Sequence, residues 1–173
     1  MSIDLASLEI LVYPAPVLRQ RAQRIETIDG AVQAVADRML ELMHQADGAG
    51  LAAPQVGLSW RMFVTRGDDH QPDHVFINPQ LIALPGELLL REEGCLSVPG
   101  IQVDVRRSGS ATISAQDRDG QSFTLHGDDL PARIWQHECD HLDGVLIIDR
   151  MAPIDRIATR KMLKELEASA ADR

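Results

Sequence analysis

The stretch "QHECDHLDG", Gln136 to Gly144, sets two histidines four residues apart with a glutamate directly after the first. At about 100° per residue, a helix brings His137 and His141 within roughly 40° of each other on one face. Glu138 lies one step round, within reach of a ligand on the same metal. This is the geometry of the H-E-x-x-H motif, in which the glutamate is general base to a metal-bound water. Asp140 flanks the pair on the other side, placed to support a ligand or to form a salt bridge. Cys139 points about 200° away from His137 and reads as a small buried hydrophobe. A polar helix face with incidental histidines is the alternative. Two imidazoles do not fill a coordination shell, so a metal reading needs a third ligand from elsewhere.

Working outward, the helix that carries the pair starts at Asp128 or Asp129, has Pro131 in its first turn and stops at Gly144. A further helix is expected over 154–168, with Ile154, Ile157, Ala158, Met162, Leu163 and Leu166 near one face. An N-terminal helix is expected from Asp29 to His44, where Val32, Val35, Met39 and Leu42 form a stripe. Between them the signals are strand-like: "RMFV", "HVFIN" and "LIAL" are short apolar runs. "SATISAQ" alternates, and Asp119-Gly120 offers a hairpin turn before "QSFTLH". Helix, many strands, helix, helix argues for an α+β fold with mostly antiparallel sheet.

The 173 residues fit one domain over the whole chain, with a length that buries a sizeable core. Hydrophobic residues are 45% and aromatics 3%, so aliphatic side chains and methionine fill that core. A formal net charge of −9 argues against a general nucleic-acid binder, and no DNA partner is expected. No signal peptide is expected from "MSIDLASLEILVYP", and no apolar run approaches the roughly 20 residues of a membrane span, so no membrane partner is expected. The expected location is cytoplasmic, where Cys95 and Cys139 stay reduced. A disulfide is then the weakest reading of them.

Candidates for the third ligand are Cys95, Glu93, His126, His44, His70 and His74. His70 and His74 lie in the polar stretch "GDDHQPDH" and read as solvated; His126 ends a strand. Cys95 sits in "REEGCLSVPG", where Gly94 permits close backbone approach. A cysteine on a short strand beside two histidines would leave one position open to water, the layout of a catalytic site. An ordinary core thiol is the alternative. A Cys-His-His set suits iron, cobalt, nickel or zinc. "GAGLAAPQVG", Gly48 to Gly57, is small and apolar except for Gln55, and lacks the lysine and spacing of a phosphate loop. Its amide is a neutral donor suited to an oxyanion.

Three motifs in order, "GAGLAAPQ" (Gly48–Gln55), "EGCLS" (Glu93–Ser97) and "HECDH" (His137–His141), make the chain resemble the peptide deformylase family. "YPAPVLR", "FINP", "SVPG" and "DGVLIIDR" extend the similarity over most of the chain, and the helical end resembles members with a helical C-terminus. The resemblance implies a central metal-binding helix cradled by antiparallel sheets. It implies one divalent ion on Cys95, His137 and His141, with water as a further ligand: Fe2+ in the cell, with Zn2+, Ni2+ or Co2+ able to substitute. It implies removal of the N-formyl group from the initiator methionine of nascent polypeptides. Glu138 is then the base, with Gln55 and the backbone N–H of Leu96 stabilising the oxyanion. The formyl-methionyl peptide would lie as an added strand along Ala49, Gly50, Glu93 and Gly94. The methionine side chain would enter a pocket near Arg133, Ile134 and His137. Arg91 and Arg133 fall where many members carry apolar residues, and Gln102 where many carry a basic or aromatic one. Either arginine can lie over an apolar rim with its charge in water. Arg156, Arg160, Lys161 and Lys164 on the last helix form either a solvated face or, given the family's cotranslational role, a ribosome-docking face.

Two rival readings share the histidines. A zincin-like peptidase would take a third His or Glu in place of Cys95. A non-catalytic protein with a structural metal would need four protein ligands.

Overall fold

A computed structural model describes residues 3–68 and 72–171. Its first long helix, α1 (Gly30–Gln45), begins where Asp29 Oδ1 accepts from the N–H groups of Ala31 and Val32, at 3.0 and 3.1 Å. These bonds satisfy two of the amides that a helix start leaves unpaired. The expected stripe of Val32, Val35, Met39 and Leu42 is buried, together with Ala36 and Met43.

Seven strands follow: β1 (Gly50–Ala52), β2 (Met62–Thr65), β3 (His74–Ala83), β4 (Leu88–Gly94), β5 (Gln102–Ser108), β6 (Ser110–Gln116) and β7 (Ser122–Asp128). They form a five-stranded sheet in the order β1-β2-β3-β6-β7 and a separate ribbon of β4 and β5, every pair antiparallel. "HVFIN" and "LIAL" belong to one strand, β3, whose register shifts between Ile77 and Gln80. Asn78 causes the break. It takes a left-handed φ of 52°, and its side chain bonds the backbone of Ile25 in both directions, at 2.8 and 2.9 Å. Asparagine tolerates that conformation better than most residues.

The central helix α2 (Leu130–Leu142) is buried on most sides. Trp135 and Cys139 pack with Phe63, Phe76 and Ile113 of the large sheet. Gln136 plugs into β5, its amide bonding both the N–H and the C=O of Ser108 at 3.0 Å. The helix stops at Gly144, whose φ of 74° is favourable only for glycine. Asp129 precedes the helix as expected but gives no capping bond; its carboxylate pairs with Arg91 at 3.1 Å.

A short helix α3 (Ile147–Arg150), absent from the sequence reading, leads into α4 (Pro153–Ala171). The expected apolar face of α4 is corrected. Ile154 and Ile157 are exposed, whereas Leu163 and Leu166 pack on the core around Val98, Ile101 and Ile147 and Thr159 is buried. The hydrophobic stripe is wider than the contact, and Tyr13, donating to Glu167 at 2.7 Å, helps fix which side faces in. No helix among the described residues is long and apolar enough to cross a membrane.

Candidate metal centre

Cys95 is the first residue past β4, not within a strand, and it faces the histidine face of α2. Its Sγ lies 3.2 Å from His141 Nε2, which lies 3.2 Å from His137 Nε2. The three donor atoms lie within 4.8 Å of one another, and no other His, Cys, Asp or Glu of the described residues joins the group. A four-coordinate ion with nitrogen at about 2.0–2.1 Å and sulfur at about 2.3 Å spaces its ligand atoms about 3.3–3.6 Å apart. The donor set therefore fits a single cation.

The other candidates lie elsewhere. His44 pairs with Asp73 at 2.6 Å. His126, on β7, bonds Thr112 at 3.2 Å. His74 opens β3 and is not a loop residue, and His70 lies outside the described residues. Cys139 faces the core as expected, and burial pushes its thiol up to about 12. Both cysteines are free thiols.

Behind the donors is a buried ionic network; the sequence reading anticipated a salt bridge at Asp140 but missed the Glu93, Arg107 and Arg133 part of it. Glu93 Oε2 receives His137 Nδ1–H at 3.1 Å, which orients the ring with Nε2 toward the cluster. Both Glu93 oxygens also accept from Arg107, each at 2.9 Å, and Arg133 donates to Oε1 at 2.5 Å. Arg107 continues to Asp140 at 2.6 Å, and Asp140 also holds Arg150. The signal for Arg107 was present in the strand alternation. Val103, Val105 and Arg107 share the inward face of β5, and a buried charge must find partners. Burial alone would raise the Glu93 pKa; the bonds from His137 and Arg107 outweigh it and hold the carboxylate well below its usual range.

The Glu93 carboxylate is fully engaged with protein groups. One expectation is corrected here. Arg133 does not keep its charge in water: its guanidinium is buried against Glu93, Leu89 O and Val105 O. Arg91 does stay at the surface.

In the centre itself, burial lowers His141, and the neighbouring charges of His137 and Arg107 lower it further. For His137, burial acts the same way, but hydrogen bonds to Cys95 and Glu93 overcome it and raise the pKa to about 10. Glu138 is pushed up to about 7 by burial, which the charges of His137 and Arg107 only partly offset. Its Oε2 is buried with no hydrogen-bond partner. A Cβ at Gly50 would collide with the Glu138 carboxylate, so the β1 backbone can pass this close only as glycine. Gln55 is held firmly. Its Oε1 accepts from Ala52 N at 2.8 Å, and its Nε2 bonds Ser97 Oγ at 3.1 Å and faces Cys95 Sγ at 3.7 Å. Above these groups opens a cavity of about 720 Å³. Ala49, Gly50, Gln55, Glu93, Gly94, Cys95, Leu96, Gln102, Arg133, Ile134, His137 and Glu138 line it, while His141 lies buried beneath.

Residues 7–157 match the family model described as Polypeptide deformylase. The chain belongs to the peptide deformylase family. It is 45% identical to the peptide deformylase of Borreliella burgdorferi over 142 residues, covering 82% of this chain and 86% of that one. It is 43% identical to that of Syntrophobacter fumaroxidans over 171 residues, 96% and 100% of the two chains. Peptide deformylase 1B of Arabidopsis thaliana, solved with an inhibitor, superposes with a TM-score of 0.90 at 39% identity, over 95% of this chain and 93% of that one. The α+β architecture with helices at both ends is that of the solved peptide deformylases. Like the family, this chain is a metal-dependent hydrolase that removes the formyl group from the N-terminal methionine of newly made polypeptides.

Proposed function

We propose that Cys95, His137 and His141 hold one divalent ion, Fe2+ in the cell, that Zn2+, Ni2+ or Co2+ can replace. Around it, Glu138, Gln55 and the Leu96 N–H carry the chemistry. The observation that supports this most directly is the set of three converging donors beside a buried, partnerless carboxylate oxygen. The bound ion supplies Lewis acidity, which acidifies water and polarises the formyl carbonyl. Glu138 accepts the proton from the attacking water and returns it to the leaving nitrogen, so that water and the N-formyl amide become a free amine and formic acid, which ionises to formate. Gln55 Nε2 and the Leu96 N–H donate to the oxyanion; Ala52 N and Ser97 Oγ hold the Gln55 amide in place, and the N–H that faces Cys95 Sγ at 3.7 Å is the one that turns to the oxyanion.

The peptide lies extended against the backbone of Ala49 and Gly50 on one side and Gly94 on the other. The methionine side chain packs on Ile134 and the aliphatic stem of Arg133. Release of formate from a formyl-Met peptide by anaerobically purified protein, with metal analysis of the same sample, tests the reading and the native ion together. Gln55→Ala is expected to lower kcat by roughly 10²–10³-fold with metal content unchanged, measured by steady-state kinetics.

The chain works in the cytoplasm, where formylated polypeptides emerge and a thiol ligand stays reduced. Docking of α4 on ribosomal RNA rests on Arg156, Arg160, Lys161 and Lys164, all exposed beside Ile154 and Ile157. Reversing the four charges is expected to abolish co-sedimentation with ribosomes and to leave hydrolysis of a short formyl-Met peptide unchanged.

A further inference from the structure

The three donors come from two elements that share no sheet. Cys95 hangs from the end of the β4–β5 ribbon, and His137 and His141 stand on α2, which packs on the five-stranded sheet. Sub-ångström placement of the sulfur against the imidazoles therefore depends on how the ribbon is fastened to the helix. We propose that Arg133 is a positioning residue that locks the ribbon to the metal-binding helix and so sets the geometry of the ligand set.

Arg133 sits one helical turn before His137. From there its guanidinium reaches three groups on the ribbon. Nη1 donates to Glu93 Oε1 at 2.5 Å and to Val105 O at 3.1 Å, and Nη2 donates to Leu89 O at 2.8 Å. One side chain of α2 thus holds a carbonyl of β4, a carbonyl of β5 and the carboxylate that orients His137. Only the planar multi-donor fork of arginine can make these bonds together; a lysine offers a single point charge. Arg133 is only 7% exposed, so water does not replace the bonds when they are lost. Glu93 would keep Arg107, and with it its charge, so the loss falls on the fastening and not on the ionisation of the carboxylate. This role differs from lining the methionine pocket, which uses only the aliphatic stem.

The proposal rests on the Cys95-His137-His141 ligand set, and one titration separates the two. Metal-free wild type, Arg133→Met, Arg133→Lys and Cys95→Ala are titrated with Co2+, following the thiolate-to-cobalt absorption and competition with a chelator; Co2+ suits cysteine and histidine ligands. Arg133→Met is expected to lower Co2+ affinity by roughly 10–100-fold, the usual cost of losing a group that supports a ligand, and to shift the absorption band. Arg133→Lys, which keeps a cation beside Glu93, is expected to fold and to bind with intermediate affinity. Should the Met variant not fold, the Lys variant carries the test. Co2+ affinity and spectrum equal to wild type in the folded variants, whatever their Tm, would overturn the proposal. So would a change confined to KM for peptides with altered first side chains, because that is the signature of a pocket wall. If Cys95→Ala binds Co2+ like wild type, the ligand-set reading itself falls.

Discussion

Glu138→Gln is expected to keep its metal and lose nearly all turnover of formyl-Met peptides, with kcat down on the order of 10²–10⁴-fold. The two side chains are nearly isosteric, so the amide keeps the tight approach to Gly50 while removing the only proton acceptor of the centre that is raised to about 7. Metal content, read by elemental analysis, stays at the wild-type level because Glu138 is not among the converging donors. Turnover equal to wild type would mean that the ion is structural and that the carboxylate is a bystander.

The second large effect is on binding. Cys95→Ala is expected to lose the ion on dialysis, falling from about one per chain to almost none, because a catalytic site has only three protein ligands to spare from. What remains are two imidazole nitrogens 3.2 Å apart, one of them on a ring tied to Glu93. Activity disappears with the metal, and excess Co2+ or Zn2+ restores little of it. A zincin-like site, with a different third ligand, would keep its ion in this variant.

The legible parts of the molecule were those governed by short-range geometry. The start of α1 could be read from Asp29 and the stripe behind it because capping and periodicity act within a few residues. The hairpin of β6 and β7 was visible for the same reason: its strands alternate about a turn at Asp119-Gly120. The ribbon of β4 and β5 was not. Leu88 and Leu90 are exposed on β4, so the strand shows no clean alternation, and its pairing with residues 102–108 depends on a loop whose path the sequence does not specify. The face of α4 was misjudged because its apolar stripe is wider than the surface that receives it.

The candidate centre divides along the same line. The spacing of His137, Glu138 and His141 fixed by itself that two imidazoles and a carboxylate share one helix face, since i and i+4 are neighbours on any helix. It also fixed that Cys139 turns away. That Cys95 meets them across 42 residues of chain to His137, that the Glu93 carboxylate faces the histidine, and that Arg107 and Arg133 are buried as its counterions were decided only by the tertiary fold. The physical reason is range. Periodicity encodes which side chains share a surface, whereas the burial of a charge and the choice of its partner are settled only when two separate surfaces close on each other and exclude water.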